Sequence, residues 1–582
     1  MSRIAWASLT LVAVMLSACG GGGSDDSAAA PAPGAPPPTT PAPGAPPPAP
    51  AFTPIPASDA EAARFLVQAT FGPTRTDIAR LRQIGYSAWI DEQLDPARTP
   101  VTLVAPHILS IPVAQLNYAE RRNYWLWQAT TKPDQLRMRM AFALSEILVV
   151  SDRDYNTANF GRISDYQDML ARGAFGRYRQ LLEQVTLHPS MGLYLSHMSN
   201  RKSTSYTNGQ GVRVTIVPDE NYARELMQLF SIGLVERNRD FSPRLDTQGR
   251  PIPSYDQEVV KGMARVLTGW TWPGNTRDTF WRWGADNEAR PMTCVPEFHD
   301  EQPKTIFNGI VINEGSNCAA SLAKMLDALS AHPNVAPFVS RQLIQRFVTS
   351  NPSPQYIARI ADVWTGSGGD LGRVIKAILL DVEARVPPAA DNAAYGKARE
   401  PLLQLTALWR AFDARYVPRA DGQYYFGFSN SWDFATSLAQ DSLRAPSVFN
   451  FFEPDYRLQG ANGVAGLYAP ELQLYNEATF ASVFNQLDSA GWAQLQDAPP
   501  TANTPAPVLD IRPLLTLAQQ DNHGAMVDQV NTLLLAGALT ADNRATMVQM
   551  LDRLRTERRP ADERVRSLVQ LAVASPEFVI QR

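Results

Sequence analysis

The chain has 582 residues, of which 45% are hydrophobic and 19% are charged. A chain of this length is too long for one small core, and its composition excludes a largely disordered protein. The 53 basic and 57 acidic residues give a net charge of −4. No block of lysine and arginine is interleaved with aromatic residues, which argues against nucleic-acid binding.

Residues 1–19 have the pattern of a secretory signal peptide. One early arginine precedes an apolar run at 4–16, which is shorter than the roughly 20 residues of a membrane-spanning helix. The final Leu-Ser-Ala-Cys resembles a bacterial lipobox, so we predict a lipid anchor at Cys19. The alternative is an ordinary signal peptide with a chance cysteine. By resemblance to lipoproteins, Gly20 favours the outer membrane, and several acyl chains give stable anchoring.

Residues 20–56 have the composition of a tether. A Gly-rich start is followed by two copies of PAPGAPPP, at 31–38 and 41–48. Because Pro-rich chains extend by about 3.1 Å per residue, this segment predicts a spacer that holds a domain several nanometres from a membrane. Recognition by a small Pro-binding domain is the alternative.

Most of the remaining chain predicts helices. Ser58 and Glu61 form a capping-box pattern, the segment at 133–150 has apolar residues at helical spacing, and Asp370 has the pattern of an N-cap. Short β-branched runs at 212–217 and 306–312 predict hairpins. The fold class is therefore mainly α, a multi-helix globular domain with one or two short β-hairpins.

The domain organisation follows from breaks in composition. We expect a main helical domain at 57–495, a linker-like break at 496–507 and a C-terminal helical segment at 508–582 that packs on the main domain. Apart from Cys19, the chain has only Cys294 and Cys318. An even pair in an exported protein predicts a disulfide, which contributes ~3 kcal/mol in a loop of this kind. Two free thiols or a metal site are the alternatives.

The segment PDENYARELMQLFSIG at 218–233 contains the densest set of chemically useful side chains. At 100° per residue, Asn221, Arg224, Glu225 and Gln228 share the polar side of the predicted helix. Any surface helix has such a split. Periodicity alone therefore does not distinguish a catalytic site from a solvated helix face.

The same segment resembles the signature of the bacterial domain of unknown function 1800 family. VVKGMARVLTGW at 259–270, HPNVAPFVSRQLIQRFV at 332–348 and LRAPSVFNFFEPDY at 443–456 are also similar to this family, and the resemblance covers nearly everything from residue 57 onward. It implies a mainly helical, exported protein without an established activity. It also implies that the gene often lies beside a member of the domain of unknown function 1501 family.

One departure from the family concerns metal binding. Many relatives have a histidine-rich run where this chain has AFALSEIL, with Ser145, Glu146 and Ile147 at that place. If those histidines bind a metal in the relatives, this chain has lost that capacity. Since the six histidines also lack HExxH or HxH spacing, we expect neither a metal nor another cofactor.

Two functions remain open, and whether the chain is an enzyme is undecided. The first is a binding or assembly role in the cell envelope, in which the signature helix contacts a partner from the 1501 family through Asn221 and Arg224. An aromatic-rich stretch at 424–434 offers a sugar or peptide groove, although aromatic side chains are also ordinary core material. His332, before Pro333, fits the start of a helix better than a ligand-binding role.

The second function is a hydrolase acting on an extracytoplasmic polymer. Glu220 or Glu225 paired with Asp300 would be the acid–base pair, and His299 a base or ligand. Arg224 would hold a polar substrate group in its planar fork. The structural alternative is that Arg224 and Glu225 form ion pairs between helices, while His299 and Asp300 fix the loop beside Cys294.

Overall fold

The computed structural model describes residues 52–112, 114, 116, 118–153, 160–285, 288–386, 392, 394–416, 434–458, 466–496 and 507–582. Several predictions fall on other residues. The signal peptide with Cys19, the tether up to residue 51, most of the break at 496–507 and the aromatic-rich stretch before Phe434 all lie outside the described part.

Helices dominate the described residues, as the apolar periodicity predicts. Their bounds are α1 (Asp59–Ala69), α2 (Arg75–Ile84), α3 (Tyr86–Leu94), α4 (Ala105–Ser110), α5 (Tyr118–Thr131), α6 (Gln135–Ser145), α7 (Phe160–Gly173), α8 (Tyr178–Leu187), α9 (Pro189–Tyr194), α10 (Asn221–Gln228), α11 (Gln257–Val266), α12 (Cys318–Ser330), α13 (Val335–Phe347), α14 (Pro354–Ser367), α15 (Leu371–Leu380), α16 (Val382–Arg385), α17 (Pro401–Ala411), α18 (Phe434–Ser437), α19 (Glu477–Gln494), α20 (Arg512–Gln519), α21 (His523–Leu535), α22 (Ala541–Thr556), α23 (Ala561–Val573) and α24 (Pro576–Val579). The predicted mainly α fold is confirmed.

The predicted helix caps show why these segments start where they do. The backbone N–H of Glu61 donates to Ser58 Oγ at 3.1 Å, and that of Arg373 donates to Asp370 Oδ1 at 2.9 Å. Each bond satisfies a donor that the first helical turn leaves free. The Glu61 carboxylate accepts from the backbone N–H of Ala57 at 2.8 Å, one residue earlier than a capping box requires.

The strands are short and pair two by two. They are β1 (Thr204–Thr207), β2 (Arg213–Ile216), β3 (Trp270–Thr271), β4 (Thr293–Cys294), β5 (Lys304–Thr305), β6 (Val311–Ile312), β7 (Lys397–Ala398), β8 (Leu495–Gln496), β9 (Leu509–Asp510) and β10 (Ile580–Gln581). The pairs β1–β2 and β5–β6 are antiparallel hairpins at the predicted places. The pairs β3–β4 and β7–β10 are antiparallel over longer separations, and β8–β9 is parallel.

One continuous core runs from the first described helix to the C-terminal helices. Leu66 of α1, Leu144 of α6, Leu343 of α13, Leu408 of α17 and Leu534 of α21 are all fully buried within it. The segment after residue 507 therefore shares its apolar side chains with the helices before residue 496, and α21 packs against both α1 and α17.

The chain near residue 580 returns to the middle of the domain. Ile580 and Gln581 of β10 pair with Ala398 and Lys397 of β7. The side chain of Gln581 also donates to the carbonyl oxygen of Phe347 at 2.8 Å. These bonds join α13, β7 and β10 around buried polar groups.

Candidate functional site

The signature helix α10 is held at its start by Asn200. The side-chain amide of Asn200 donates to the carbonyl oxygen of Asp219 at 3.1 Å and accepts from the backbone N–H of the same residue at 3.0 Å. The Asp219 carboxylate then accepts from the N–H of Asn221 at 2.8 Å. The exposed side chain of Asn221 therefore starts a helix whose position is fixed by residues about twenty positions earlier.

On the buried face of α10, Tyr222 contacts two polar side chains. Tyr222 Oη lies 2.7 Å from Thr186 Oγ1, and its ring stacks on His197 with centroids 4.1 Å apart. Burial lowers the pKa of His197 to about 4, so its imidazole is neutral at physiological pH. The contacts of Tyr222 with Thr186 and His197 therefore anchor the helix.

The exposed end of α10 forms a small polar cluster with α11. Arg224 Nη2 lies 3.2 Å from Glu220 Oε2, and Gln257 Nε2 donates to the same carboxylate oxygen at 2.7 Å. Arg224 also donates to Gln257 Oε1 at 3.2 Å. Because Arg224 and Glu220 remain partly exposed, solvent screens their attraction, and such pairs contribute little to stability.

Glu225 does not lie where the helical wheel placed it. The wheel assigned it to the polar side with Asn221 and Arg224, but the structure leaves only 7% of it exposed. Its burial comes from parts of the chain that one-helix periodicity does not include. Tyr255, in the segment before α11, lies close by: burial raises the Tyr255 pKa, and the Glu225 charge raises it further. Glu225 Oε2 and Tyr255 Oη have no hydrogen-bond partner among the described residues. Burial raises the pKa of Glu225 more than Arg224 lowers it.

His299 and Asp300 are adjacent in sequence but face different partners. His299 is fully buried, with Nδ1 2.8 Å from the Thr268 carbonyl oxygen and Nε2 3.1 Å from Ser321 Oγ. A carbonyl accepts only, so Nδ1 carries the proton and Nε2 accepts from the serine hydroxyl. Burial lowers the pKa of this imidazole.

The Asp300 carboxylate binds Arg265 of α11 in a bidentate pair. Arg265 Nε donates to Asp300 Oδ2 at 2.7 Å and Nη2 donates to Oδ1 at 3.0 Å. Burial raises the pKa of Asp300, but the hydrogen bonds and charge of Arg265 outweigh this effect and the net pKa is lowered. Both groups of this loop thus have fixed partners.

Glu220 and Asp300, one of the two hypothetical acid–base pairs, contact residues near opposite ends of α11. Gln257, which contacts Glu220, and Arg265, which holds Asp300, are eight positions apart on this helix, or about 12 Å along its axis. His332 takes part in neither of these contacts. Its Nδ1 accepts from the N–H of Asn334 at 3.1 Å just before α13, and burial lowers its pKa.

A disulfide supports an aromatic loop beside the signature helix. Cys294 of β4 is bonded to Cys318, the first residue of α12, with Cα atoms 6.2 Å apart. The structure thus contains the disulfide that the cysteine count predicted. Since β4 pairs with β3, the bond fixes the base of the loop that carries Trp281 and Trp283.

The side chains of Trp281 and Trp283 are 54% and 69% exposed. Trp281 packs edge-on against Phe298 at 4.9 Å, and the guanidinium of Arg201 lies 5.7 Å from its ring centroid. Arg201 follows Asn200, which anchors the start of α10. We call Arg201, Trp281 and Trp283 the tryptophan face. The exposure of the two tryptophans could not be predicted from the sequence, because residue type does not distinguish an exposed tryptophan from a buried one.

A second group of residues that periodicity missed is buried far from this face. Its members are the six ionisable side chains of the Glu146 cluster: Arg139, Glu146, Arg346, Lys397, Glu400 and Glu471. All are less than one-twentieth exposed. The sequence feature that could have indicated these residues is a charged side chain inside an otherwise apolar helical run, as in AFALSEIL and LIQRF.

Ion pairs join the cluster along a chain of carboxylates. Lys397 Nζ lies 2.9 Å from Glu471 Oε1 and 3.6 Å from Glu400 Oε1, while Arg139 Nη2 lies 3.9 Å from the latter oxygen. Arg346 Nε lies 3.5 Å from Glu146 Oε2, which is beyond a good hydrogen bond. Burial and the nearby Glu400 charge raise the pKa of Glu146 well above its usual range.

A separate buried carboxylate predicts a distinctive pH dependence. Asp441 is fully buried, its nearest cations Arg444 and Arg122 are 3.8 and 3.9 Å away, and burial raises its pKa to about 6. The native state therefore holds this proton more tightly than the unfolded chain does. The contribution of Asp441 to the free energy of unfolding is expected to fall by about 2 kcal/mol as the pH rises from about 4 to 6.

The measurement is urea unfolding of the wild type and Asp441→Asn at several pH values. Subtracting the two profiles cancels other groups that titrate in this range, such as Asp168, whose pKa burial also raises to about 6. A difference that stays constant from pH 4 to pH 6 would contradict the buried position of Asp441.

Within the described ranges, no group of three or more His, Cys, Asp and Glu side chains is placed to hold a metal ion. None of the helices described here is long and apolar enough to span a membrane.

Comparison with known proteins gives one match. A family model described as Protein of unknown function (DUF1800) matches residues 64–580. No curated protein matches the chain, and neither does any solved structure. The matched range includes the signature helix, the tryptophan face and the Glu146 cluster.

Proposed function

The chain belongs to the DUF1800 family of proteins of unknown function, and from this premise we propose that it is an exported, lipid-anchored envelope protein with a binding or assembly role. Lipid attachment at Cys19 holds it to the outer membrane, and the tether extends the folded domain from the surface. Support for this location comes from the sequence, namely the signal-peptide pattern, the lipobox and the repeated Pro-rich segment.

The observation that carries the binding role is the exposure of Trp281 and Trp283 on a loop fixed by a disulfide. Trp281 and Trp283 lie two positions apart and are both exposed, and exposed apolar patches mark interaction sites. Tryptophan and arginine are also the residues that most often dominate binding energy. Arg201 lies over one of these rings, so the tryptophan face combines both types.

The partner is a protein of the domain of unknown function 1501 family, which the family resemblance implies as a frequent gene neighbour. In this role Asn221 and Arg224 lie at the edge of the contact, where their polar groups remain partly hydrated. The anchoring bonds of Asn200 to Asp219 keep α10 and the tryptophan face in a fixed relation. A rigid surface of this kind lowers the entropic cost of binding.

The proposal is tested by purifying the full-length lipidated protein from its own membranes, beside Trp283→Ala and a Trp281→Ala, Trp283→Ala double variant. A stoichiometric partner is expected with the wild type and to fall roughly tenfold with the double variant. Phe480→Ala is the matched control, because Phe480 is another aromatic side chain, 51% exposed, on α19. Retention of the partner by the double variant would reject this surface.

A hydrolase remains the alternative because of Glu225. Its buried Oε2 and the Tyr255 hydroxyl lack partners among the described residues, and its raised pKa suits a general acid. If it is one, Glu225→Gln lowers polymer turnover by about 10²-fold or more without loss of fold. Glu220→Gln, on the exposed side of the same helix end, is the control. Equal turnover in wild type and Glu225→Gln would end this alternative.

A further inference from the structure

A small cavity lies beside the Glu146 cluster, away from the residues used in the proposed binding role. Its volume is about 50 Å³, and its polar lining consists of Glu146, Gln342, Arg346 and Asn450. Apolar side chains, among them Phe338 and Phe449, form the rest of the wall. Phe449 is 45% exposed, which places one wall of the cavity at the protein surface.

Helix α13 supplies three of these wall residues at four-residue spacing. Phe338, Gln342 and Arg346 therefore share one face of the helix. The opposite wall comes from the segment around residue 450, where Asn450 has a left-handed backbone with φ 69°, a conformation that asparagine adopts more readily than most residues. The cavity thus forms where two distant parts of the chain meet.

The polar atoms of this lining are unsatisfied. Glu146 Oε2, Gln342 Nε2, Arg346 Nε and Asn450 Nδ2 are buried and have no hydrogen-bond partner among the described residues. The four side chains are only 4%, 5%, 2% and 7% exposed, in that order. A buried polar atom without a partner costs about 1–3 kcal/mol, and a polar group bound in this cavity would satisfy several of these four atoms at once.

The chemistry of these atoms selects the ligand. Three are N–H donors and one is a carboxylate oxygen, so the lining has an excess of donors. An acceptor-rich group with two oxygens satisfies more of them than an alcohol or an amine does, and guanidinium binds carboxylate especially well. A volume of about 50 Å³ holds a carboxylate but not a whole sugar or aromatic ring.

We propose that this cavity binds a carboxylate group, held by Arg346, Gln342 and Asn450, with the remainder of its molecule directed past Phe449 toward solvent. The carboxylate belongs to a small organic acid, a peptide terminus or an acidic sugar, which share this chemistry. The inference does not depend on the tryptophan face or on its partner.

The charge of the surroundings favours an anion. Burial and the Glu400 charge raise the pKa of Glu146, so its surroundings disfavour a negative charge on this side chain. Among the cations of the cluster, Arg346 lines the cavity. A bound carboxylate accepts a hydrogen bond from Arg346 and pairs with its charge.

The experiment is a thermal unfolding titration of the full-length protein at pH 7 with sodium acetate, against sodium chloride at equal ionic strength. Acetate is expected to raise Tm as a ligand that binds only the native state does. Acetamide, which has nearly the same shape without the charge, is expected to have a much weaker effect. Absence of an acetate response at about 100 mM overturns the proposal.

Gln342→Met is the informative variant because Gln342 Nε2 makes no hydrogen bond that the substitution can break. Its Tm without acetate is expected to equal or exceed that of the wild type, while its Kd for acetate rises roughly tenfold or more. Gln342→Glu, which replaces the donor with a charge of the ligand's sign, is expected to abolish the response. Gln180→Met, at an exposed position on α8, is the control.

An equal acetate response in the wild type and Gln342→Met overturns the proposal, as does an equal response to acetate and acetamide. Two further comparisons distinguish the sources of the carboxylate. A preference for the free over the amidated dipeptide Gly-Phe indicates a peptide terminus. A preference for galacturonate over galactose indicates an acidic polysaccharide, and a response to acetate alone indicates a small free acid.

Discussion

Gly262→Ala is expected to lower the free energy of unfolding by about 3 kcal/mol or more, among the largest effects of any single methyl group in this chain. Gly262 lies on α11 where the helix meets β5. A Cβ at this position would lie 1.9 Å from the carbonyl oxygen of Thr305. Because this neighbour is backbone rather than a flexible side chain, the helix and the strand must separate, and the nearby Arg265–Asp300 pair is strained with them.

The matched control is Gly366→Ala. Gly366 lies within α14, and a Cβ there meets no atom within 4 Å, so the substitution is expected to stabilise the protein by about 0.5–1 kcal/mol through helix propensity. Guanidinium unfolding followed by circular dichroism measures both. Equal stability of Gly262→Ala and the wild type would show that α11 and β5 are not in such close contact.

Glu400→Gln is expected to lower the free energy of unfolding by about 3–5 kcal/mol. The substitution keeps the shape of the side chain but removes a charge that faces both Lys397 and Arg139. These cations are fully buried and cannot regain water. The hydrogen bond from Gln440 Nε2, now 2.7 Å from Glu400 Oε2, has an acceptor in glutamine too, so the loss measures charge and not the hydrogen bond.

Glu258→Gln is the control for removal of a carboxylate charge. Glu258 pairs with Lys261 at 2.7 Å on the surface of α11, with 78% of its side chain exposed. An exposed pair of this kind contributes little to stability, so the unfolding midpoint of Glu258→Gln should match that of the wild type. If Glu400→Gln behaves like this control, the buried cluster does not depend on its charges.

Local features of the fold were predictable because their causes lie within a few residues. The Ser58 and Asp370 caps depend on a side-chain oxygen three positions before the N–H that it accepts from. The β1–β2 hairpin follows from a run of β-branched residues. The disulfide was predictable from arithmetic, since Cys294 and Cys318 are the only cysteines after Cys19.

Features that depend on distant neighbours were not predictable in the same way. Periodicity placed Glu225 on the solvent side, since the wheel contains no information on Tyr255. The same limit applies to Glu146, whose backbone carbonyl accepts from Arg346, 200 residues away. A charged residue in an apolar run marks such a group, but its partners emerge only from the fold.

The residues chosen for an acid–base pair illustrate a third limit. Glu220 and Asp300 are both carboxylates beside family motifs, yet they contact opposite ends of α11 through Gln257 and Arg265. Residue type and the density of motif residues therefore pointed to α10, but they did not indicate a site that Glu220 and Asp300 share. The exposed aromatic loop, which carries the proposed binding role, has no motif at all.

The pairing of β10 with β7 can form only at the end of synthesis, because β10 contains residues 580 and 581. Gln581 donates to Phe347, and 234 positions separate these two residues. At a synthesis rate of about 5–20 residues per second, about 10–50 s pass between the synthesis of Phe347 and that of Gln581. The polar groups around β7 therefore acquire their last partners only when the chain is almost fully translated.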